Sequence, residues 1–503
     1  MIMKVEKPKS EIRKIIPDGT GKLAGLTLLS IGINYFVPQV LIRDLWFIAL
    51  MIVYFRSRDE AFWLAFMLIL NDGFAGFFGI RGVQISSLPI PEFELTHIYL
   101  MAVIIKVIRT RSKTFVFYDT WLKVLGLYIL FLIYIGFSMG MPEEYSIVLR
   151  TVRSTFPLLL FYFLPRLINK QSEYERFFGF VFLLVISAFI TQMFSIVTGF
   201  SPPALFGVGQ AYEVEDLTKE TWRGLFNIAA NITGFFAALF YLASRKDIFN
   251  RTYLQLVLIA IYGTAFFSAT RGWIMGLGIS LMLFFVFIQK VSIRKVAGFG
   301  IIAFIALQII ILHPRIRLQM GNSIMRTLTL RSVFEGDLTA GGTSSRADIQ
   351  APKVMKVWAQ KPVFGWGFSD TYFQNYNIHV GNQTILLHSG IVGAILLIFF
   401  FIYFFRKLYL LALKPGPYNY FKMSLLIFPV TFAGWFFIHS SSGQQFGYTT
   451  SYIYALPQAV FLSFGAILYK DIANRPCNKP SVINKIKTPL KGGVSTEPRN
   501  IIV

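Results

Sequence analysis

Five arginines and two histidines stand where an otherwise apolar chain could do chemistry at a water-facing surface. Arg346 opens the stretch RADIQAPKVMKVWAQKPVFGWGF, and His379 and His388 follow in NIHVGNQTILLHSG, just ahead of the apolar run Ile391–Phe405. Arg271 lies in SATRGWIMG and Arg223 in WRGLFNIAANITG, while Arg150 and Arg153 fall one helical turn apart in VLRTVRSTF. A guanidinium presents planar, paired donors that match phosphate oxygens. An imidazole is the one unperturbed side chain that gives and takes a proton near neutral pH. Together these residue types suit the recognition of a phosphorylated group beside a single proton acceptor. His379, inside the polar run Gln374–Gln383, is the first choice for that base, with His388 in reserve.

The other polar candidates read as structural. His97, His313 and His439 fall near predicted helix ends, where an interfacial imidazole is usually a satisfied anchor, and Arg43 and Arg81 read as snorkelling side chains. The acidic run Glu213, Glu215 and Asp216 has the donor type for a divalent cation, but such runs are more often solvated loops, so no metal site is assigned. No zinc-ligand spacing, phosphate-binding glycine loop or nucleophilic-serine motif is present. No cofactor is expected. The single cysteine, Cys477, excludes an internal disulfide and a cysteine-based metal centre.

The elements that must position these groups are membrane helices. Hydrophobic residues make up 55% of the 503 residues, above the roughly 45–50% of soluble domains. Solid apolar blocks such as Val124–Phe137, Phe177–Thr198 and Ile391–Phe405 exclude an alternating β-barrel pattern. The expected fold is an all-α polytopic membrane helix bundle with about 12–14 transmembrane helices. The formal net charge of +23 gathers in short loops and tails rather than on one aromatic-laced face, so no nucleic-acid partner is expected.

Loop charge orients the bundle. Arg56, Arg58, Arg109, Arg111, Arg166, Lys170, Arg406 and Lys407 share one predicted side with both tails, and the intervening loops are poor in cations. The positive-inside rule makes that side cytoplasmic. The expected organisation is a basic cytoplasmic tail over 1–21, about 11 helices over 22–313 and a large external, periplasmic loop over 314–385. C-terminal transmembrane helices over 386–470 and a disordered cytoplasmic tail over 471–503 follow. The N-terminal MIMKVEKPKSEIRK lacks an apolar core with a cleavage site and does not read as a signal peptide. Within the long loop, Ser344 or Ser345 is placed to cap a helix over 347–360 whose apolar side carries Ile349, Val354, Val357 and Trp358. Pro362 ends it, and Gly365 and Gly367 demand a tight bend.

Three blocks resemble the O-antigen ligase and O-antigen polymerase family of bacterial envelope glycan enzymes. They are Arg271-Gly272 in a turn of small residues, Arg346 with Trp358 and Pro362-x-x-Gly365-x-Gly367, and His379 followed by Gly390-x-x-Gly393. The order is that of the family, although Val380 stands where a polar residue is usual, and the resemblance covers roughly residues 223–405. It implies a metal-independent inverting glycosyltransferase in the inner membrane. The implied donor is an undecaprenyl-diphosphate-linked glycan, and the acceptor is a growing polysaccharide or lipid A–core, with polymerase favoured over ligase. By the same resemblance Arg271 and Arg346 bind the donor diphosphate, His379 deprotonates the acceptor hydroxyl, and Arg223 helps hold the donor. Arg150, Arg153 and His388 are added as substrate-binding residues from position alone. A lipid-linked glycan flippase is the competing expectation; it predicts homologous halves and charges along a buried path, and neither pattern is present. The orientation is open to a direct test. With Cys477 replaced by serine, an Asn377→Cys side chain is expected to react with a membrane-impermeant maleimide from the external side, and labelling only after the cytoplasm is opened would invert the topology.

Overall fold

The computed structural model describes residues 16–78, 82–88, 93–111, 114–140, 145–203, 227–244, 247–289, 313–334, 345–414, 421–437 and 445–473. Among these residues every regular element is helical, and Gln84 and Glu94 form an isolated antiparallel bridge. The first half carries α1 (Thr20–Phe36), α2 (Val40–Arg56), α3 (Glu60–Asn71), α4 (Leu95–Thr110), α5 (Asp119–Ser138), α6 (Tyr145–Thr155), α7 (Leu160–Leu167) and α8 (Gln171–Thr198). Then come α9 (Ile228–Ala243), α10 (Arg251–Phe267), α11 (Arg271–Leu283) and α12 (Pro314–Phe334). The C-terminal part holds α13 (Ala351–Trp358), α14 (Asp370–Asn375), α15 (Gly381–Leu413), α16 (Lys422–Leu425), α17 (Ile427–Thr431) and α18 (Tyr452–Ala473).

Four of these helices, α5, α8, α15 and α18, are long and apolar enough to cross a membrane, which marks the chain as a membrane protein. Five further apolar segments have 10–17 residues, among them Ile228–Ala243 and Arg251–Phe267. Burial sorts the long helices by depth in the bundle. In α18, 83% of the apolar window is buried, whereas in α5 the figure is 28%. The outward side of α5 therefore shows Leu127, Leu130, Tyr134 and Phe137. Such a face is stable only against an apolar surrounding. At the centre, α18 packs on α7, α9, α15, α3 and α8. Aromatic rings fill the seams: Phe236, Phe428, Phe461 and Phe464 meet with centroids 4.9–6.3 Å apart. A buried hydroxyl pair, Tyr174 donating to Ser463 at 2.7 Å, ties α8 to α18.

Local chemistry explains where helices stop. The apolar segment near 149–166 is not one helix, because Pro157 removes an amide donor and a 3-10 turn over Phe156–Leu159 separates α6 from α7. The segment near 61–80 ends as a helix at Asn71, and Gly73 then turns with φ 63°. The adjacent Asp72 leaves the helix to accept from the Ala229 and Ala230 amides at 2.9 and 3.3 Å, capping α9. The α13 region begins as a π-turn over Ser345–Gln350. The predicted apolar side then holds only in part: Val354 is buried while Ile349 is 64% exposed, because the wider turn shifts the register. The proposed serine cap, the acidic run at 213–216, the segment near 295–312 and the tail from 474 lie outside the described residues. The start of the expected external loop is not free chain. Helix α12 buries Ile316, Gln319, Met320 and Ser323, packs on α8 and α10, and donates from Gln319 to the Phe267 carbonyl.

The two ends of the bundle differ. One end holds the α2–α3 turn, the C-terminus of α4, the N-termini of α5 and α8 and the C-terminus of α18. Three cations there are engaged. Lys106 pairs with Glu60 and donates to the Ser57 carbonyl at 2.9 Å, Arg166 pairs with Asp119, and Arg176 pairs with Asp59 at 2.9 Å. Lys106 and Glu60 are both buried, so the loss of one leaves the other charge unpaired in apolar surroundings. Lys106→Met is expected to destabilise the protein by about 3–5 kcal/mol. Adding Glu60→Gln should recover most of that loss. Thermal unfolding in detergent would measure both, and an equal loss in single and double variants would count against the pairing.

Candidate functional site

At the opposite end a cavity of about 560 Å³ opens where α3 finishes and α4, α15 and α18 begin. Three groups of residues wall it. Arg150, Arg153 and Ser154 come from α6; Tyr372, Tyr376 and Asn377 come from α14 and the turn after it, joined by His388 from α15; Asn71, Glu94 and Tyr452 come from helix ends. The segment 445–451 closes the remaining side, and the Thr450 amide donates to the Ser154 carbonyl at 2.9 Å to hold it against α6.

The wall that carries His388 is built by a backbone lock. Helix α15 breaks at Gly390, which has φ 62° and ψ −172°. The segment 362–368 lies in that break. The Trp366 and Gly367 amides donate to the Leu387 and His388 carbonyls, each at 2.8 Å, and the Ile391 and Val392 amides donate back to Pro362 and Val363 at 2.9 and 3.1 Å. Gly365 and Gly367 supply φ 70° and 53°, so the predicted bend is present. A Cβ on Gly365 would also lie 2.6 Å from both the Gly390 nitrogen and the His388 oxygen. Tyr128 and Tyr448 brace the lock by donating to the Ser389 and Gly393 carbonyls at 2.6 and 2.8 Å.

The lock fixes the His388 ring. It packs against Phe368 and Tyr372 with centroids 4.5 Å away, is 2% exposed, and carries an Nε2 with no partner among the described residues. Burial pushes the Tyr372 and Tyr448 phenols well above their ordinary range, so both hydroxyls stay protonated donors. Three further residues that line the cavity each carry a buried polar atom with no hydrogen-bond partner among the described residues: Asn71 at Nδ2, Gln445 at Oε1 and Tyr452 at its hydroxyl.

The sequence-predicted residues separate accordingly. Arg150, Arg153 and His388 come together on the cavity. His379 does not line it. It lies in the 3-10 turn Ile378–Val380, exposed to solvent, and its amide is held at 2.8 Å by the side chain of Asn377, which does line the cavity. Arg271 begins α11 and Arg346 lies in the π-turn before α13, but their side chains are outside the described residues, as is all of Arg223. Asn71, Gln445 and Tyr452 were not singled out from the sequence. A lone amide closing the apolar run MLILN is the one signal that could have flagged Asn71. Among the described residues no cluster of three or more histidine, cysteine or acidic side chains offers a metal site. No protein-family model matches the chain, and no curated protein matches its sequence.

The lock predicts a sharp contrast between glycines. Gly365→Ala must strain a left-handed backbone, at about 1–3 kcal/mol, and press a methyl group on two backbone atoms. Gly278→Ala on α11 meets open space and is expected to be neutral or stabilising. Thermal midpoints in detergent should fall for the first only, and an unchanged midpoint for Gly365→Ala would remove the lock from the account.

Proposed function

We propose that the chain is an inner-membrane glycosyltransferase that extends a polysaccharide by moving glycan from an undecaprenyl-diphosphate-linked donor to an acceptor hydroxyl on the outer face. One observation carries the reading: Arg150 and Arg153 line the same cavity as Asn377, whose side chain holds the amide of His379, at the end of the bundle opposite the Lys106–Glu60 and Arg166–Asp119 pairs. By the positive-inside rule the ion-paired end is cytoplasmic, which leaves the cavity facing outward, where no nucleotide is at hand to activate a sugar. A lipid diphosphate is already an activated leaving group. What the protein must add is positive charge for the departing oxygen and a base for the incoming one.

The chemistry balances on that basis. The acceptor O–H gives its proton to the His379 imidazole as its oxygen attacks the anomeric carbon from the side opposite the diphosphate. The bond between anomeric carbon and phosphate oxygen breaks, its electron pair leaves on the diphosphate, and the sugar configuration inverts. Arg150 and Arg153 offset the growing charge, alongside Arg271 and Arg346, which the family resemblance assigns to the same task. No metal step is required. Transfer to lipid A–core uses the same steps and differs only in the acceptor.

In a strain lacking the gene, the wild-type chain is expected to restore long-chain envelope glycan. His379→Ala and the double variant Arg150→Ala/Arg153→Ala should each lower transfer about 100-fold or more while still inserting and folding. Purified protein should remain active in EDTA. Full activity of a folded His379→Ala protein would move the base elsewhere, and loss of activity in EDTA would overturn the metal-free mechanism.

A further inference from the structure

His379 sits on a turn that has little of its own to hold it still. The 3-10 turn Ile378–Val380 is three residues long, and His379 is exposed on it. The Val380 amide closes it by donating to the Asn377 carbonyl at 3.3 Å. Short exposed turns with few hydrogen bonds open at little cost in free energy. Anchors flank this one. The Tyr376 amide donates to the Tyr372 carbonyl at 2.8 Å at the end of α14, and Val380 is buried in one cluster with Val354, Tyr372 and Leu387.

Between those anchors stands Asn377, and Thr384 brackets it. Asn377 is extended, with φ −142° and ψ 118°. In an extended residue the amide N–H and the carbonyl point to the same side, as they do in a hydrogen-bonded β pair. Here a single hydroxyl takes the place of the partner strand. The Asn377 amide donates to Thr384 Oγ1 at 3.3 Å, and the same hydroxyl donates to the Asn377 carbonyl at 2.8 Å. A hydroxyl both donates and accepts, so one threonine serves both groups, whereas a valine of the same shape serves neither. With its backbone fixed, Asn377 accepts at its side chain from the His379 amide at 2.8 Å. Thr384 stands in the first turn of α15, the helix held at Gly390 by residues 362–368. Asn377 and Thr384 both line the cavity that Arg150 lines.

We infer that Thr384 is a positioning residue for His379: its hydroxyl fixes Asn377, and Asn377 fixes the turn that carries the imidazole. This rests on the reading of His379 as the base of glycan transfer, and it adds the residues that hold that base in place. A general base works only within hydrogen-bond reach of the proton it takes, and a misplacement of ~1 Å lowers the rate as much as about 100-fold. Thr384 itself takes no part in the proton transfer. Losing its hydroxyl therefore acts on turnover and on the mobility of the turn, and not on binding of the donor.

Hydrogen exchange on the full-length protein in nanodiscs tests the bracket without any turnover. In the wild type the Asn377 and His379 amides should be protected although His379 is exposed. Thr384→Val should speed their exchange about tenfold, as expected for two lost hydrogen bonds, while residues 362–368 exchange as before. Thr384→Ser should keep the protection, and Thr384→Ala serves the same comparisons if valine disturbs the lock. Transfer from undecaprenyl-diphosphate-linked glycan then tests the role. Thr384→Val should lower kcat about tenfold with KM for the donor unchanged, and Thr384→Ser should restore it. Added to His379→Ala, Thr384→Val should lower kcat no further, because the side chain it positions is gone. Unchanged exchange in Thr384→Val removes the bracket. Faster exchange with full turnover, or an equal loss of kcat with and without His379, overturns the positioning role. A folded wild type with no transfer activity overturns the glycan reading, and the positioning role falls with it while the exchange contrast stands.

Discussion

The cavity depends on one backbone embrace, the docking of residues 362–368 into the break of α15 at Gly390. A helix interrupted in an apolar bundle exposes amides and carbonyls that must find partners. Here the passing segment supplies them, with Trp366 and Gly367 donating in one direction and Ile391 and Val392 in the other. Approach this close leaves no room for side chains, so Gly365 and Gly390 face each other across the contact. The segment also reaches α5, where the Phe368 amide donates to the Leu132 carbonyl at 3.2 Å. Three parts of the chain distant in sequence are thereby fixed around the His388 ring.

A second constraint is how acids are used near the cavity. Asp72 caps α9, Asp44 accepts from the Ser87 amide at 2.6 Å, and Glu94 caps α4. Carboxylates spent on backbone amides gain strong hydrogen bonds at helix starts, where the dipole favours them. At the other end of the bundle carboxylates also pair with Lys106, Arg166 and Arg176, and Asp59 does both, accepting from the Phe62 amide at the start of α3. Arg150 and Arg153 line the cavity at the end where Glu94 caps α4.

Much of this was legible in the sequence. Apolar runs marked the helices, Pro362 and the Gly365–Gly367 pair marked a bend, and the one-turn spacing of Arg150 and Arg153 marked a cationic helix face. Less was legible where the determinant is a partner far along the chain. The bend signals a turn, but nothing local says that it docks at Gly390. Pro157 separates α6 from α7, and only the structure shows that the chain divides there. Asn71 and Tyr452 look ordinary at helix ends and acquire meaning only when α3 and α18 bring them to one cavity.

The two histidines show most clearly what position in space adds to residue type. Both precede the same apolar run, and the sequence puts His379 first only because it lies inside the polar run Gln374–Gln383. In the transfer proposed above, the base must pass one proton to water in every cycle, so it needs an open route to solvent. His379 is exposed on its short turn, held at its amide by Asn377 on the cavity edge. His388 is enclosed between Phe368 and Tyr372 and has its backbone carbonyl committed to the Gly367 amide. An imidazole so confined has no such route. The division follows from the helix break: residues just before Gly390 are pinned inward by the lock, while the turn carrying His379 stays exposed to solvent.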